Sequence, residues 1–230
     1  MTPLASTRAL SELAAAPPGG RAAPGDAPGR EEAARRRELA ARVRAAGVPE
    51  RFRAASLADC DPEVREWAEA VLGGTWPRDP FLLLLGRNGR GKTHQAAAAL
   101  MALLRGGPGL FAEAPQIVNE CAEGYGRNAE AVLARYKAAG VLFIDELGKE
   151  RFDAKTAPWL FDLVQRRWLR RRPTIVATNM DSDGLALHFA ACGEPTMGQS
   201  IISRLGSGAV VRLEGRDRRF SADSPGRAEP

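Results

Sequence analysis

The sequence predicts an α/β fold, a five-stranded parallel sheet with helices on both faces. Two observations carry this. Short apolar runs of strand length alternate along the chain with longer segments whose apolar residues recur at helical spacing, the pattern of strands buried on both faces and joined by crossover helices. The first apolar run also leads through a glycine-rich turn directly into a helical segment.

The elements follow in order. Residues 1–30 hold Pro17-Pro18-Gly19-Gly20 and Pro24-Gly25 and almost no large apolar side chains, so a disordered tail is expected. Residues 31–46 are rich in Ala, Glu, Arg and Leu, with Glu31–Arg35 and Glu32–Arg36 at i,i+4 spacing, and predict a helix. Only Leu39 and Val43 form an apolar stripe there, so this helix is expected to lie exposed or to dock loosely, and it is a candidate partner contact. The body, residues 47–220, follows, and residues 221–230 read as a flexible C-terminus. Within the body, strands are expected at 81–85, 109–112, 141–144, 174–177 and 209–213, and helices at 93–104, 115–121, 128–138 and 156–169. The last helix rests on apolar positions 160, 163, 164 and 168.

Composition excludes several classes. No apolar run approaches the roughly 18 residues of a membrane span, and the N-terminus has no signal-like apolar stretch, so a cytoplasmic protein without membrane contact is expected. Cys60, Cys121 and Cys192 lie far apart without a CxxC pair, which excludes a disulfide framework and argues against a zinc site. The net charge of +5 arises from 33 basic and 28 acidic residues, but only four of the basic residues are lysines. Abundant Arg, Ala, Gly and Pro together indicate a coding bias, so the charge permits nucleic-acid binding without arguing for it.

Three strand ends carry candidate chemistry. Gly86-Arg87-Asn88-Gly89-Arg90-Gly91-Lys92-Thr93 fits G-x-x-x-x-G-K-[ST] between an apolar strand and a helix. Its glycines let backbone N–H groups approach phosphates, and the helix N-terminus adds partial positive charge. Lys92 is placed to reach the β- and γ-phosphates, and the Thr93 hydroxyl to bind Mg²⁺. His94 reads either as a base contact or as a helix residue beside the nucleotide. Asp145-Glu146 ends the run beginning at Val141. Asp145 suits Mg²⁺, directly or through water, and Glu146 suits polarising the water that attacks the γ-phosphate. Asn179, after Thr174-Ile175-Val176-Ala177-Thr178, reads equally as a contact to that water or phosphate and as a turn residue. Arg204 is a candidate for the arginine that phosphoryl transfer favours. Arg166-Arg167-Trp168-Leu169-Arg170-Arg171-Arg172 reads equally as a solvated helix end and as a phosphate or acidic-partner contact.

Taken together, these segments resemble the AAA+ ATPases, and more narrowly the DnaC/DnaI helicase loaders and the related IstB transposition helpers. The resemblance rests on the phosphate loop with its following His94, on VLFIDELG, on RRWLRRRPTIVATN, on Ser203-Arg204-Leu205, on the leading segment Val48-Pro49-Glu50-Arg51-Phe52-Arg53 and on the closing Gly215-Arg216-Asp217-Arg218-Arg219. It spans roughly residues 47–220 and implies an AAA+-type sheet with no full C-terminal helical lid. It implies ATP and Mg²⁺ at Lys92 and Thr93, Asp145 and Glu146 as the Walker B pair, Asn179 as sensor 1, and Arg204 as an arginine finger reaching a neighbouring copy's ATP in a homo-oligomer. Arg167 would be a second trans-acting arginine, and Arg219 or its neighbour Arg218 a further phosphate or interface contact. Arg170, Arg171 and Arg172 stand as phosphate or DNA contacts.

Three functions are compatible with this. The first is an ATPase that loads a replicative DNA helicase onto single-stranded DNA. The second is an IstB-type transposition helper on duplex DNA. The third is a nucleotide-gated interaction module that hydrolyses little. The N-terminal region lacks the zinc ligands that some loaders carry there.

Overall fold

A computed structural model describes residues 27–75, 79–123, 127–191 and 195–214. Five strands, β1 (Phe81–Leu85), β2 (Gly109–Glu113), β3 (Val141–Leu147), β4 (Thr174–Thr178) and β5 (Ala209–Arg212), form one parallel sheet in the order β2-β3-β4-β1-β5. The expected fold class and all five strands are present. β1 lies between β4 and β5, with Leu85 level with both Thr178 and Arg212. β3 runs three residues past the expected end at Ile144, because Asp145 still pairs with Glu113 of β2.

The helices among the described residues are α1 (Ala27–Ala45), α2 (Pro62–Gly73), α3 (Lys92–Leu103), α4 (Ala114–Ala122), α5 (Ala129–Ala138), α6 (Ala157–Leu169), α7 (Ser182–Ala190) and α8 (Pro195–Leu205). Strand side chains alternate between two cores. Leu82, Leu84, Phe143, Ile175 and Ala177 face α3, which is covered in turn by α2 and the end of α1. Phe81, Leu83, Leu85, Leu142, Ile144 and Val176 face α4 to α8. α3 is buried along most of its length, and its Ala96–Ala99 run lets its backbone lie close to the sheet. That helix fixes where the phosphate loop opens.

Helices α2, α7 and α8 are absent from the sequence expectation. For α2 the signals are nonetheless present: Asp61 caps the helix by accepting from Glu63 N at 3.1 Å, Pro62 occupies the first turn, and Gly74 ends it at φ 67°. Its buried residues Val64, Trp67, Ala68 and Val71 keep helical spacing.

The N-terminal helix starts at Ala27, inside the stretch expected to be disordered, and Pro28 is tolerated because the first turn needs no donor there. Its first turns are exposed, as expected. Its end docks more firmly than expected: Val43 and Ala46 are buried, Leu39 packs on the same core, and Arg42 Nη1 donates to Leu104 O at 3.2 Å and Arg105 O at 3.1 Å. Phe111 N also donates to Ala46 O at 2.7 Å, tying the helix exit to β2. Residues 1–26, Cys192, Arg218, Arg219 and residues 221–230 lie outside the described residues. No described helix is long and apolar enough to cross a membrane.

Candidate nucleotide site

The C-terminal ends of β1, β4 and β3 meet at one edge of the sheet, with the phosphate loop above β1. Gly86 opens the loop at φ 147°, and a Cβ there would lie 2.5 Å from Leu213 O, so the close approach of the chain after β5 requires glycine. Gly91 closes the loop as the N-cap of α3 at φ 84°, in the left-handed region. Lys92 is nearly buried and arches back so that Nζ donates to Arg87 O at 2.8 Å. Arg87 and Asn88 stand exposed at the tip. Gly86, Arg87, Arg90, Asp181 and Arg212 are among the residues lining a cavity of about 300 Å³. His94 is half-buried on the first turn of α3. The next residue, Gln95, is buried and accepts from Asp61 N at 2.9 Å, holding α3 against the segment before α2.

Asp145 is 7% exposed, and its carboxylate accepts from Glu146 N at 2.9 Å and from the Thr93 side chain. Burial pushes its carboxyl above the usual range, and the charges of Glu146 and Glu113 add to that, while its two hydrogen bonds pull the other way. The β3–β4 register is broken between Ile144 and Leu147, the irregularity that re-aims side chains beside functional sites. Within it Glu146 sits at φ 56°, unusual for a residue with a side chain, and its carboxylate pairs with Lys149 at 2.5 Å. Two residues unmarked by the sequence hold this turn. Thr178 Oγ1 donates to Leu147 O at 2.6 Å and accepts from Met180 N at 3.1 Å. Buried Glu150 accepts from Gly148 N at 2.7 Å and pairs with His188 Nε2 at 2.8 Å, joining the turn to α7. Asn179 is half-buried directly after β4, between the ends of β1 and β3.

The arginines separate sharply. Arg204, in the last turn of α8, has its guanidinium 5.2 Å from the Trp168 ring centre and 5.6 Å from that of Phe161. Arg167 is fully buried on α6. Its guanidinium donates to Thr174 Oγ1, Tyr136 O and Ala139 O at 2.8 Å each and to Pro173 O at 2.6 Å. The expectation of a trans-acting, phosphate or DNA contact at Arg167 is therefore corrected, because every nitrogen of its guanidinium is engaged inside its own chain. Burial, then the charge of Arg172, pulls its pKa down to about 9, which leaves it charged at neutral pH. Arg172 is half-buried and also turned inward, onto Ala138 O and Ala139 O. Arg171 takes the left-handed position after the helix, at φ 47°, and its side chain pairs with Asp79 at 3.3 Å. Arg170 is exposed.

The IstB-like ATP binding protein family matches residues 30–224. The chain belongs to this family. Over 105 residues it is 36% identical to an insertion-sequence ATP-binding protein of Geobacillus stearothermophilus, a match covering 44% of this chain and 41% of that protein. Over 127 residues it is 32% identical to the XkdC protein of the phage-like element PBSX of Bacillus subtilis (strain 168), covering 50% of this chain and 46% of the relative. The matches thus span less than half the length of these relatives. Among solved structures, DnaI superposes with a TM-score of 0.62 at 24% identity, covering 73% of this chain and 95% of that one. The DnaC helicase loader gives 0.56 at 20% identity, covering 72% and 100%. At these identities the likeness is one of fold alone, the parallel five-stranded sheet with helices on both faces that this IstB-like chain shares with them.

The oxygen donors present fit a small hard cation. Mg²⁺ is ordinarily held by one or two carboxylates together with substrate phosphates, and here the Thr93 hydroxyl and Asp145 carboxylate already converge in one hydrogen bond at the phosphate loop. Glu113, Lys149, Thr178 and Glu150 are the neighbours of this centre that local sequence did not single out. For Glu113 and Thr178 the signal is the pairing of β2 and β4 with β3, which exists only in three dimensions, whereas Lys149 and Glu150 lie within four residues of Glu146 in the chain.

Proposed function

We propose that this IstB-like chain is a Mg²⁺-dependent ATPase acting in the cytoplasm in assemblies of several copies, and that its cycle places a replicative DNA helicase on single-stranded DNA. The observation that supports hydrolysis most directly is the Thr93–Asp145 hydrogen bond, with Glu146 next in the chain. On ATP binding, Lys92 exchanges Arg87 O for the β- and γ-phosphates, and the N–H groups of the Gly86–Thr93 loop receive the remaining phosphate oxygens. Thr93 and Asp145 would hold Mg²⁺, which when bound would supply positive charge against the phosphate oxygens. Glu146 leaves Lys149 to orient and deprotonate the attacking water, and Asn179 fixes that water from the end of β4. Arg204 of the adjacent copy meets the charge that develops on the transferred phosphoryl group.

The helicase-loading role draws support from the fold shared with DnaI and DnaC. A second reading, an ATP-dependent transposition helper on duplex DNA, is supported by the family match and the insertion-sequence relative. Mixing Arg204→Ala with Glu146→Gln protein, each inactive alone, restores turnover if ATP is shared between copies; no restoration refutes the shared site. Capture of the host helicase with ATP supports loading. Duplex-stimulated assembly without helicase capture supports the second reading, and rates indistinguishable between wild type and Glu146→Gln indicate a gated module instead.

A further inference from the structure

The two inward arginines of the α6–α8 region are held in opposite ways. Arg167 is fixed by its edges, with four hydrogen bonds to its own chain. Arg204 is held by aromatic contact, its Cζ lying over the rings of Trp168 and Phe161. Its Nη1 donates to Ser200 O at 2.7 Å within α8, while its Nε is buried without a hydrogen-bond partner among the described residues. A cation resting on aromatic rings is held without the rings consuming its hydrogen-bond donors. The Trp168 ring is itself anchored: its Nε1 donates to Asp79 Oδ2 at 2.8 Å, and the other oxygen of Asp79 pairs with Arg171 at 3.3 Å. Asp79 lies just ahead of β1, so the platform is braced against the strand that carries the phosphate loop.

We propose that Trp168, assisted by Phe161 and braced by Asp79, is the positioning residue that presents Arg204 to the ATP of a neighbouring copy. The proposal rests on the reading of Arg204 as a trans-acting arginine. Without the platform, the long side chain samples many rotamers, and fewer encounters find it extended toward the neighbour.

The test uses the full chain. Trp168→Leu is expected to lower ATP turnover about three- to thirtyfold, the size of one cation–π contact, with KM and nucleotide affinity unchanged. Trp168→Phe, which keeps a ring face, retains most turnover. Subunit mixing separates positioning from general structural support. Trp168→Leu mixed with Glu146→Gln regains turnover, as Arg204→Ala does. Trp168→Leu mixed with Arg204→Ala stays at the additive rate, because both lack a working arginine. Restoration in that second mixture would mean that Trp168 serves its own copy's site and would overturn the proposal, as would wild-type turnover by Trp168→Leu. Should Trp168→Leu lose nucleotide binding through misfolding, Phe161→Leu reads the same platform by the same mixtures. Wild-type turnover by Arg204→Ala overturns the underlying reading and the proposal together; an inactive Arg204→Ala beside a fully active Trp168→Leu overturns the proposal alone.

Discussion

Replacing Arg167 is the sharpest test of how this region is built. Tyr136 O and Ala139 O are carbonyls at the C-terminal end of α5, where the helix supplies no partners, and Pro173 O precedes β4. A buried guanidinium therefore caps one helix, with a favourable charge for its dipole, and fixes the start of a central strand. Arg167→Ala removes all four bonds and leaves a buried void lined by Tyr136 O and the Thr174 hydroxyl, while Pro173 O keeps Leu142 N and Ala139 O keeps Arg172 as donors. Deleting a large, fully buried side chain together with its hydrogen bonds costs about 3–5 kcal/mol. A chain of this size loses roughly 2–4 °C of melting temperature per kcal/mol. The expected fall is thus about 6–20 °C, and the energy lost is a large share of the roughly 5–15 kcal/mol that holds a domain folded. Arg167→Lys keeps the charge but not the fork, so it should fall between wild type and Arg167→Ala. Thermal and denaturant unfolding measure the loss, with DNA binding and turnover read below the variant's melting temperature. A melting temperature within about 2 °C of wild type, combined with selective loss of DNA binding, would refute the structural role and restore Arg167 as a contact residue.

Lys92→Ala should lower ATP affinity by at least about a hundredfold, since a nearly buried ammonium is replaced by nothing that answers the phosphates; unchanged affinity by calorimetry contradicts the phosphate-loop assignment. Thr178→Val leaves Leu147 O without its buried donor and should cost about 1–3 kcal/mol. Because the lost bond holds the turn carrying Glu146, turnover should drop more than ATP affinity does, and equal losses would show that Thr178 acts on the fold alone. Gly86→Ala places a methyl group 2.5 Å from Leu213 O and should reduce both melting temperature and nucleotide affinity; wild-type behaviour in both assays would mean that the chain after β5 moves aside freely.

The site was legible in the sequence to the extent that its chemistry is local. A phosphate loop joins one strand to one helix, so its glycines, Lys92 and Thr93 are contiguous, and Asp145-Glu146 follows its own apolar run. The bulge in β3, the Thr178 bond to Leu147 O and the Glu150–His188 pair connect residues about 30 to 40 positions apart. No local pattern encodes them.

The basic run after residue 165 shows a subtler limit. As a string of arginines it offers no reason to separate one from another. The helical period does. The buried positions of α6 are Ala157, Leu160, Leu163, Val164 and Arg167, so Arg167 is the member seven residues after Leu160 on the inward stripe. Side-chain type points to the apolar Trp168 as that member, whereas the helical period points to Arg167. Both residues turn out to lie on the inner side, at different depths: Arg167 in the core among carbonyls that no apolar side chain could satisfy, and Trp168 half-exposed beside α8, where a ring face meets Arg204. Position on the helix, rather than charge, therefore divides this run into a structural arginine, an aromatic platform and the exposed Arg170. Arg167 spends every guanidinium nitrogen on its own chain, so its replacement is read in stability, whereas Trp168 touches an arginine that the proposed cycle uses, so its replacement is read in turnover.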